Sequence, residues 1–271
     1  MMNVTKRKEV LVTGAYGGMG RATIDILVQK GYRVFALDIK IDDLNFNDNV
    51  IWIRTDITSE DALQSAFKTV CSHINHLDAI LHFAGIYMLD SLVEIDTNDF
   101  DRIVAVNLRG AFMVNKIFLP LLNSGSSILM TTSELAALDP LPFTGIYAVT
   151  KAALDKYAYS LRMELQLLGI RVSVLRAGAV ETRMLGTSTD ALDKFCKKTQ
   201  QYSCNAKRFK DIVRRVEARC ISPQKLSAKV VKILNKRRPA FSYSINRNPL
   251  LILLNCLPKR LQLWIIRQIL K

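Results

Sequence analysis

The sequence predicts an α/β protein, a doubly wound parallel sheet with helices on both of its faces. The first indication is a strand at 9–13 that runs into a glycine turn at 14–20 and then into a helical pattern through Ile24 and Leu27. The second is that strands and helices go on alternating along the chain, as βαβ units with right-handed crossovers require. At 271 residues, the chain can bury the core of one α/β domain.

Each further strand is predicted from a short apolar, β-branched run. These runs lie at 32–37, 50–58, 77–82, 126–132 and 170–175, and helices are expected over roughly 97–122 and around Tyr147. Open parallel sheets bind ligands outside the carboxyl ends of their strands. The residues that should therefore converge on one crevice are the glycine turn, Asp38, Asp56, Gly85, Ser133 and the helix of Tyr147.

Charge is distributed unevenly. Residues 1–182 hold 17 Lys and Arg against 20 Asp and Glu, whereas residues 183–271 hold 21 against 4. A basic last third favours an anionic partner, either a membrane surface or a nucleic acid, and a solvated basic surface with no partner is the competing interpretation. No nucleic-acid readout motif or aromatic stacking platform accompanies these residues, so a nucleic acid is the less favoured partner.

The cysteines and the N-terminus bear on the compartment. Five widely spaced cysteines, an odd number without a Cys-x-x-Cys pair, favour a reducing environment. No apolar signal region follows the basic residues at 6–8. We therefore expect a cytoplasmic protein. No His, Cys and Asp spacing indicates a metal site.

The glycine turn predicts a dinucleotide site. A strand, a glycine-rich turn and a helix N-terminus together let backbone N–H groups approach a pyrophosphate. The next strand ends at Asp38, eighteen residues after Gly20. A carboxylate there binds ribose hydroxyls and repels a 2′-phosphate, so NAD is expected as cofactor in preference to NADP. Arg33 and Lys40, which are close in sequence, weaken this preference.

Tyr147 and Lys151 are the candidate chemical groups. On a helix, a spacing of four residues puts both side chains on one face. A phenol has a pKa near ~10, so a tyrosine that exchanges protons near neutral pH needs a positive charge beside it. Lys151 is placed to supply that charge. Alone, the pair is also compatible with a solvated helix face.

The motifs together make the chain resemble the short-chain dehydrogenase/reductase family over about residues 7–247. Several of them occur in order along the chain, and they are Thr13-Gly14, Gly18, Gly20, Asp38, Asp56, Ala84-Gly85, Asn107, Ser133, Tyr147 with Lys151, and Gly178 to Thr182. The resemblance implies a Rossmann-like sheet of seven strands in the order 3-2-1-4-5-6-7, with the seventh at 240–245. It also implies one catalytic domain over 1–247, a substrate lid at about 183–221, and a homo-oligomer.

The resemblance further implies interconversion of an alcohol and a carbonyl with a nicotinamide cofactor. Tyr147 would transfer the proton, Lys151 would hold the nicotinamide ribose and lower the pKa of the tyrosine, Ser133 would bind the substrate oxygen, and Asn107 would admit a water that relays protons. Asp56 would bind the adenine amino group. The implied cofactor-binding residues are Gly14, Tyr16, Gly18, Met19, Gly20, Asp38, Asp56, Ile57, Ala84, Gly85, Tyr147, Lys151, Gly178, Val180 and Thr182.

The chain departs from the family pattern at two places. His82-Phe83 stands where Asn-Asn usually precedes Ala-Gly, and Ala177 stands where a proline usually precedes Gly178. His82 is interpreted as a hydrogen-bonded strand residue rather than a catalytic group. The exchange at Ala177 is expected to make the nicotinamide loop more mobile.

Two stretches bear on the substrate. The lid carries apolar residues that are either core or pocket wall, namely Met184, Leu185, Leu192, Phe195, Tyr202 and Phe209. An apolar lid favours a hydrophobic alcohol or ketone, and Arg183 offers recognition of a carboxylate as an alternative. The C-terminal extension at 248–271 is apolar and basic, with Leu261, Trp264, Ile265 and Ile269 at helical spacing.

The extension has two interpretations. An amphipathic basic helix can lie in a membrane interface, which would make the protein peripheral at a membrane, or it can pack across the substrate mouth or a subunit interface. Together with the Arg237-Arg238-Pro239 junction, it resembles the retinol and hydroxysteroid dehydrogenase branch. The leading hypothesis is an NAD-dependent oxidoreductase of a hydrophobic secondary alcohol or its ketone. The alternatives are a catalytically idle dinucleotide sensor and a reductase of a smaller polar carbonyl.

Overall fold

Seven parallel strands form one sheet in the order β3-β2-β1-β4-β5-β6-β7, as the family resemblance implied. The computed structural model describes residues 7–41, 47–216 and 220–271, with backbone only for 183–190 and 214–216. The strands are β1 (Glu9–Thr13), β2 (Arg33–Asp38), β3 (Val50–Arg54), β4 (Leu77–His82), β5 (Leu122–Ser133), β6 (Arg171–Ala177) and β7 (Ser242–Ile245).

Helices connect the strands. They are α1 (Gly18–Gln29), α2 (Glu60–Cys71), α3 (Thr97–Val104), α4 (Ala111–Phe118), α5 (Gly145–Leu165), α6 (Arg183–Lys198), α7 (Ser203–Val216), α8 (Pro223–Leu234), α9 (Pro249–Asn255) and α10 (Lys259–Leu270). Ser59 is the N-cap of α2, because its hydroxyl accepts a hydrogen bond from the Ala62 N–H.

Each face of the sheet is covered by its own set of helices. On one face, Leu27 of α1 and Val230 of α8 pack against β1 and β2 side chains such as Val34. On the other face, α2, α4 and α5 bury residues that include Val114 and Ala158. The two apolar clusters use alternate residues of the same strands, since successive side chains of a strand point to opposite faces. This two-sided cover confirms the predicted doubly wound fold.

Several strand ends differ from the sequence prediction. β3 stops at Arg54, and Asp56 turns back instead, its carboxylate accepting hydrogen bonds from the Thr58 N–H (2.8 Å) and hydroxyl (2.7 Å). This local bond competes with strand pairing. β5 begins four residues earlier than expected, at Leu122, and β7 two residues later, at Ser242.

The crossover from β4 to β5 is a continuous helical stretch, Thr97–Leu121, long and apolar enough to span a membrane by length and composition. Half of its most apolar window is buried inside the fold, where it packs as an ordinary crossover helix. A π-helical turn, Ala105–Gly110, interrupts it. Such turns widen the backbone ladder and often occur at functional sites.

A cap formed by α6, α7 and α10 lies beyond the carboxyl ends of the strands. Its small core contains Leu192, Phe195, Phe209 and Leu270, packed against Leu89. Leu192 and Phe195 are therefore core rather than pocket residues, and Tyr202 packs on the Phe143 ring. The side chains of Arg183, Met184 and Leu185 lie outside the described residues, and the roles expected of them stay predictions.

Candidate active site

The glycine turn brings three backbone segments to the carboxyl end of β1. Gly14 has a φ of +65°, and a Cβ on it would lie 2.4 Å from the Ala84 backbone nitrogen. Only glycine combines this conformation with such close packing. The turn places Met19 at the first turn of α1, whose N–H groups point out of the helix end. The backbone cradle therefore fits a dinucleotide pyrophosphate.

Asp38 lies at the end of β2, directly beside this turn. Its carboxylate accepts hydrogen bonds from the backbone N–H groups of Tyr16 (2.9 Å) and Lys40 (3.1 Å). Arg33 stands at the opposite end of the strand, where it pairs with Glu9 at 2.7 Å. Arg33 is therefore unable to offset the charge of Asp38. Arg54 is a different case, because it lies opposite Asp38 in the β2–β3 register.

The other residues implied for the adenine end are spread along the same edge. Asp56 is exposed in the turn after β3, and the neighbouring Ile57 is buried in the core. Gly110 lies close to Ile57, since a Cβ on Gly110 would come within 2.6 Å of Ile57 Cδ1. None of these three residues lines the large cavity described below. The structure thus places Ile57 under the edge as support, and Asp56 at its surface.

Tyr147 and Lys151 project from the first two turns of α5 towards the end of β5. Tyr147 hydrogen-bonds with the Ser133 side chain, and its ring packs against Tyr87 at 4.8 Å between centroids. The buried Lys151 Nζ donates to the Thr131 carbonyl (3.2 Å) and lies 5.7 Å from the centre of the Tyr147 ring. The structure therefore brings the three predicted groups together.

Burial sets the proton affinities of this pair. It raises the pKa of Tyr147 to about 12, although the hydrogen bond with Ser133 acts in the opposite direction. It also lowers the pKa of Lys151 to about 8. In this state of the protein, the pKa of Tyr147 is thus raised because burial disfavours the phenolate, and the lowering expected from Lys151 is not seen.

Asn107 sits in the π-helical turn and is almost fully buried. Its side chain accepts from the Ile86 N–H (2.8 Å) and donates to the Ile86 carbonyl (3.0 Å) and to the Thr150 hydroxyl (3.1 Å). The side chain thereby joins the crossover helix to the segment after β4 and to α5. Lys151 Nζ and Asn107 Oδ1 both flank Gly85, within 3.4 Å of where its Cβ would be.

A charged pair fixes α5 to the sheet two turns beyond Tyr147. Arg176 on β6 contacts both carboxylate oxygens of Asp155, at 3.0 and 2.7 Å. Thr132 of β5 donates to the same carboxylate at 3.3 Å. Bidentate arginine–carboxylate contacts have a restricted geometry. This pair therefore defines the position of the helix that carries Tyr147 and Lys151.

A cavity of about 780 Å³ extends from these groups into the cap. Its walls are mostly apolar, and its polar lining residues include Ser133, Tyr147 and Lys151. The predicted site residues that line it are Met19, Gly85, Ser133, Tyr147, Lys151, Gly178, Val180 and Thr182. Phe209, a member of the cap core, contributes to the wall as well, so this lid residue is both core and pocket.

The C-terminal extension forms the far wall of this cavity, through residues of α9 and α10 such as Leu254 and Ile266. The extension therefore packs across the mouth of the cavity, and the membrane interpretation, which concerns its outer side, stays a prediction. Glu134, which the sequence did not indicate, ties the extension to the site. Its carboxylate accepts a hydrogen bond from the Asn248 N–H (2.7 Å), and burial raises its pKa.

His82 and Ala177, the residues at which the chain departs from the family pattern, both lie in strands of the sheet. His82 is buried and its Nε2 bonds to Asn115 Oδ1 (2.9 Å), while burial lowers its pKa to about 4. It is a neutral, hydrogen-bonded strand residue, as predicted. Ala177 pairs in register with Ser133 on one side and Ile245 on the other.

The comparisons with known proteins agree with this geometry. A family model described as short chain dehydrogenase matches residues 8–193. The fold and the site define an oxidoreductase that acts on CH–OH and C=O groups with a nicotinamide dinucleotide. The chain belongs to the short-chain dehydrogenase/reductase family.

Individual relatives show the range of the family. Versicolorin reductase of Emericella nidulans is 28% identical over 75% of this chain and 77% of its own. Estradiol 17-beta-dehydrogenase 2 of Rattus norvegicus is 32% identical, over 69% of this chain but only 52% of that protein. A short chain dehydrogenase family protein from Francisella tularensis superposes with a TM-score of 0.73 at 22% identity, covering 88% of this chain and 97% of the other.

The buried ammonium gives a prediction about stability. Because the pKa of Lys151 is lower in the folded than in the unfolded chain, the fold disfavours the charged form, fully so below pH 8 and less as pH rises towards 10.5. Lys151→Met should therefore raise the free energy of unfolding at pH 7 by roughly 1–3 kcal/mol in the nucleotide-free protein. Denaturant unfolding would measure this change.

The exposed Lys156, on the same helix, provides the matched control. Lys156→Met should change the unfolding free energy by less than about 0.5 kcal/mol. A loss of stability in Lys151→Met would mean that the hydrogen bond to Thr131 outweighs the burial of the charge.

Proposed function

We propose that this protein interconverts a hydrophobic secondary alcohol and its ketone by hydride transfer, with NAD as cofactor and Tyr147 as the proton donor or acceptor. The single observation that carries the proposal is the cavity, which joins the Ser133–Tyr147–Lys151 cluster to an apolar chamber walled by the cap and the extension. When bound, the nicotinamide accepts or supplies the hydride.

The side chains have separate parts in this proposal. The Ser133 hydroxyl and the Tyr147 phenol hydrogen-bond the substrate oxygen, and Tyr147 passes its proton to that oxygen in reduction. A phenol with a pKa of about 12 stays protonated at neutral pH, which suits the reductive direction. Lys151 holds the nicotinamide ribose, and Asn107 supports proton relay next to it.

The substrate class follows from the cavity walls. An apolar chamber binds an apolar body, while the few polar groups at one end fix its orientation. The names of two relatives, an estradiol dehydrogenase and a versicolorin reductase, point to polycyclic substrates as well. A steroid-, retinoid- or lipid-like alcohol therefore suits the site better than a small polar carbonyl.

Tyr147→Phe tests the chemical role. The variant keeps the ring contact with Tyr87 but loses the transferable proton, so kcat/KM should fall by a factor of about 100 or more. The measurement is NADH formation with a panel of steroid, retinoid and long-chain secondary alcohols. The exposed Tyr159, on the same helix, gives a control, and Tyr159→Phe should keep its activity within a factor of about two. Full activity in Tyr147→Phe would exclude this mechanism.

NAD preference is proposed from Asp38. Its carboxylate faces the glycine turn and is held there by two backbone N–H groups. A 2′-phosphate bound beside it would bring two anions together. A fission-yeast relative, 29% identical, is named as NADPH-dependent, so relatives differ in this respect.

Asp38→Asn should shift the ratio of kcat/KM values for NADP and NAD towards NADP by about tenfold or more, because the repulsion is removed. The exposed Asp25 of α1 is the control for a general change in charge, and Asp25→Asn should leave the ratio unaltered. An unchanged ratio in Asp38→Asn would assign coenzyme choice to other residues.

We also propose that the extension attaches the protein to an anionic membrane. Residues 248–271 hold four Lys and Arg and no Asp or Glu. A basic helix with exposed apolar side chains suits an anionic lipid surface. Deletion of residues 249–271 should therefore abolish sedimentation with phosphatidylglycerol vesicles, and neutral vesicles serve as the control. Undiminished binding after deletion would refute attachment through this segment.

A further inference from the structure

The C-terminal extension has two apolar faces rather than one. The inner face closes the cavity through residues such as Leu251, Leu254 and Ile266. On the outer side of α10, Leu263 and Trp264 are 68% and 58% exposed and do not line the cavity. Closing the substrate mouth requires only the inner face. The outer apolar side chains therefore need another explanation, since exposed apolar groups that cluster mark interaction surfaces.

Three residues of the extension belong both to the cavity wall and to the exposed surface. Leu250, Leu253 and Ile269 line the cavity and are nevertheless 63%, 62% and 53% exposed. A residue that is both wall and surface lies at the rim of an opening. The mouth of the cavity is therefore bordered by leucine and isoleucine side chains. A mouth that received substrate from water would have no need of such a rim.

Basic residues flank this surface. Arg260, Arg267 and Lys271 are exposed, and their positions are three or four residues away from Leu263, Trp264 or one another, which puts them on one side of α10. Lysine and arginine beside exposed leucine and tryptophan can reach lipid head groups while the apolar side chains enter the acyl region. The charge is of one sign, since the extension has no carboxylate side chain.

The extension is fixed to the rest of the protein at several points, so the position of its outer face relative to the cavity mouth is fixed as well. Asn255 Oδ1 accepts from the Asp139 N–H (2.7 Å), and Lys259 forms an ion pair with the Asp139 carboxylate. Near the C-terminus, Asn205 donates to the Leu270 carbonyl (2.6 Å). A surface that binds Leu263 and Trp264 would therefore lie next to the mouth of the cavity.

From these observations we propose that the cavity opens directly into the head-group and acyl boundary of an anionic bilayer. The substrate, an apolar alcohol or ketone dissolved in the leaflet, would pass between the rim side chains Leu250, Leu253 and Ile269 and reach Tyr147 without crossing water. This inference rests on the proposed function and adds the source of the substrate to it.

A second copy of the chain is the competing occupant of the surface. A twofold contact through α10 would place Arg260, Arg267 and Lys271 against the same residues of the other copy. Like charges facing each other destabilise an interface. An anionic lipid surface complements the same residues, so the charge pattern favours lipid.

The test compares one substrate in two forms. The most active alcohol of the panel is supplied either as a soluble cyclodextrin complex or dissolved in phosphatidylcholine–phosphatidylglycerol vesicles. In the double variant Leu263→Ser with Trp264→Ser, turnover from cyclodextrin should stay within a factor of about two, because neither residue lines the cavity. Vesicle binding and turnover from vesicles should each fall by about tenfold or more.

The exposed Tyr159 of α5 provides the control, and Tyr159→Ser should alter neither form of turnover. Equal losses from cyclodextrin and vesicles in the double variant would overturn the inference while the oxidoreductase function stands. The inference would also be overturned if the unaltered protein did not bind vesicles but formed a dimer, and if the double variant lost that dimer. No turnover of either form by the unaltered protein would refute the proposed function, and the inference with it.

Discussion

The position of α5 against the sheet is the constraint on which the site depends. This helix carries a phenol and an ammonium into a space with little water, where an error of about an ångström in a catalytic group can cost 10²-fold in rate. Its near end is held by the Lys151 contact with Thr131, and its middle by the Asp155–Arg176 pair. Both contacts go to interior strands of the sheet, β5 and β6, so the sheet itself positions the chemical groups.

The cap and the extension add walls to an open crevice and make it a deep cavity with a mouth. Parallel sheets of this type bind ligands at the carboxyl edge, which by itself is open to solvent. Here the chain leaves β7 through Asn246, and Gly178 has no room for a Cβ, which would lie 1.9 Å from the Asn246 carbonyl oxygen. The root of the extension therefore packs directly on the loop after β6. Any movement of the extension would therefore shift the loop that carries Gly178.

The sequence was sufficient to predict those features of the fold and of the site that depend on short-range residue patterns. The glycine turn, Asp38, and the spacing of Tyr147 and Lys151 are short-range features, and the structure brings them to one edge as predicted. Contacts between segments that are far apart in the chain could not be predicted from the sequence. Glu134 meets Asn248 across 114 residues, and no periodicity predicts that pairing. The raised pKa of Tyr147 was not predicted for the same reason, because it follows from burial, to which distant residues such as Tyr87 contribute.

The buried ammonium also bears on whether this fold is used for catalysis or only for binding. A lysine with a pKa lowered to about 8 is held in its charged form at neutral pH against the preference of its surroundings. Perturbed groups of this kind are concentrated at functional sites. A protein that only sensed the dinucleotide would gain stability from an apolar residue there, with no loss of the glycine turn or Asp38. Lys151 also has a proposed part in holding the nicotinamide ribose, so it is the presence of Ser133 and Tyr147 beside it that favours proton transfer over nucleotide binding alone.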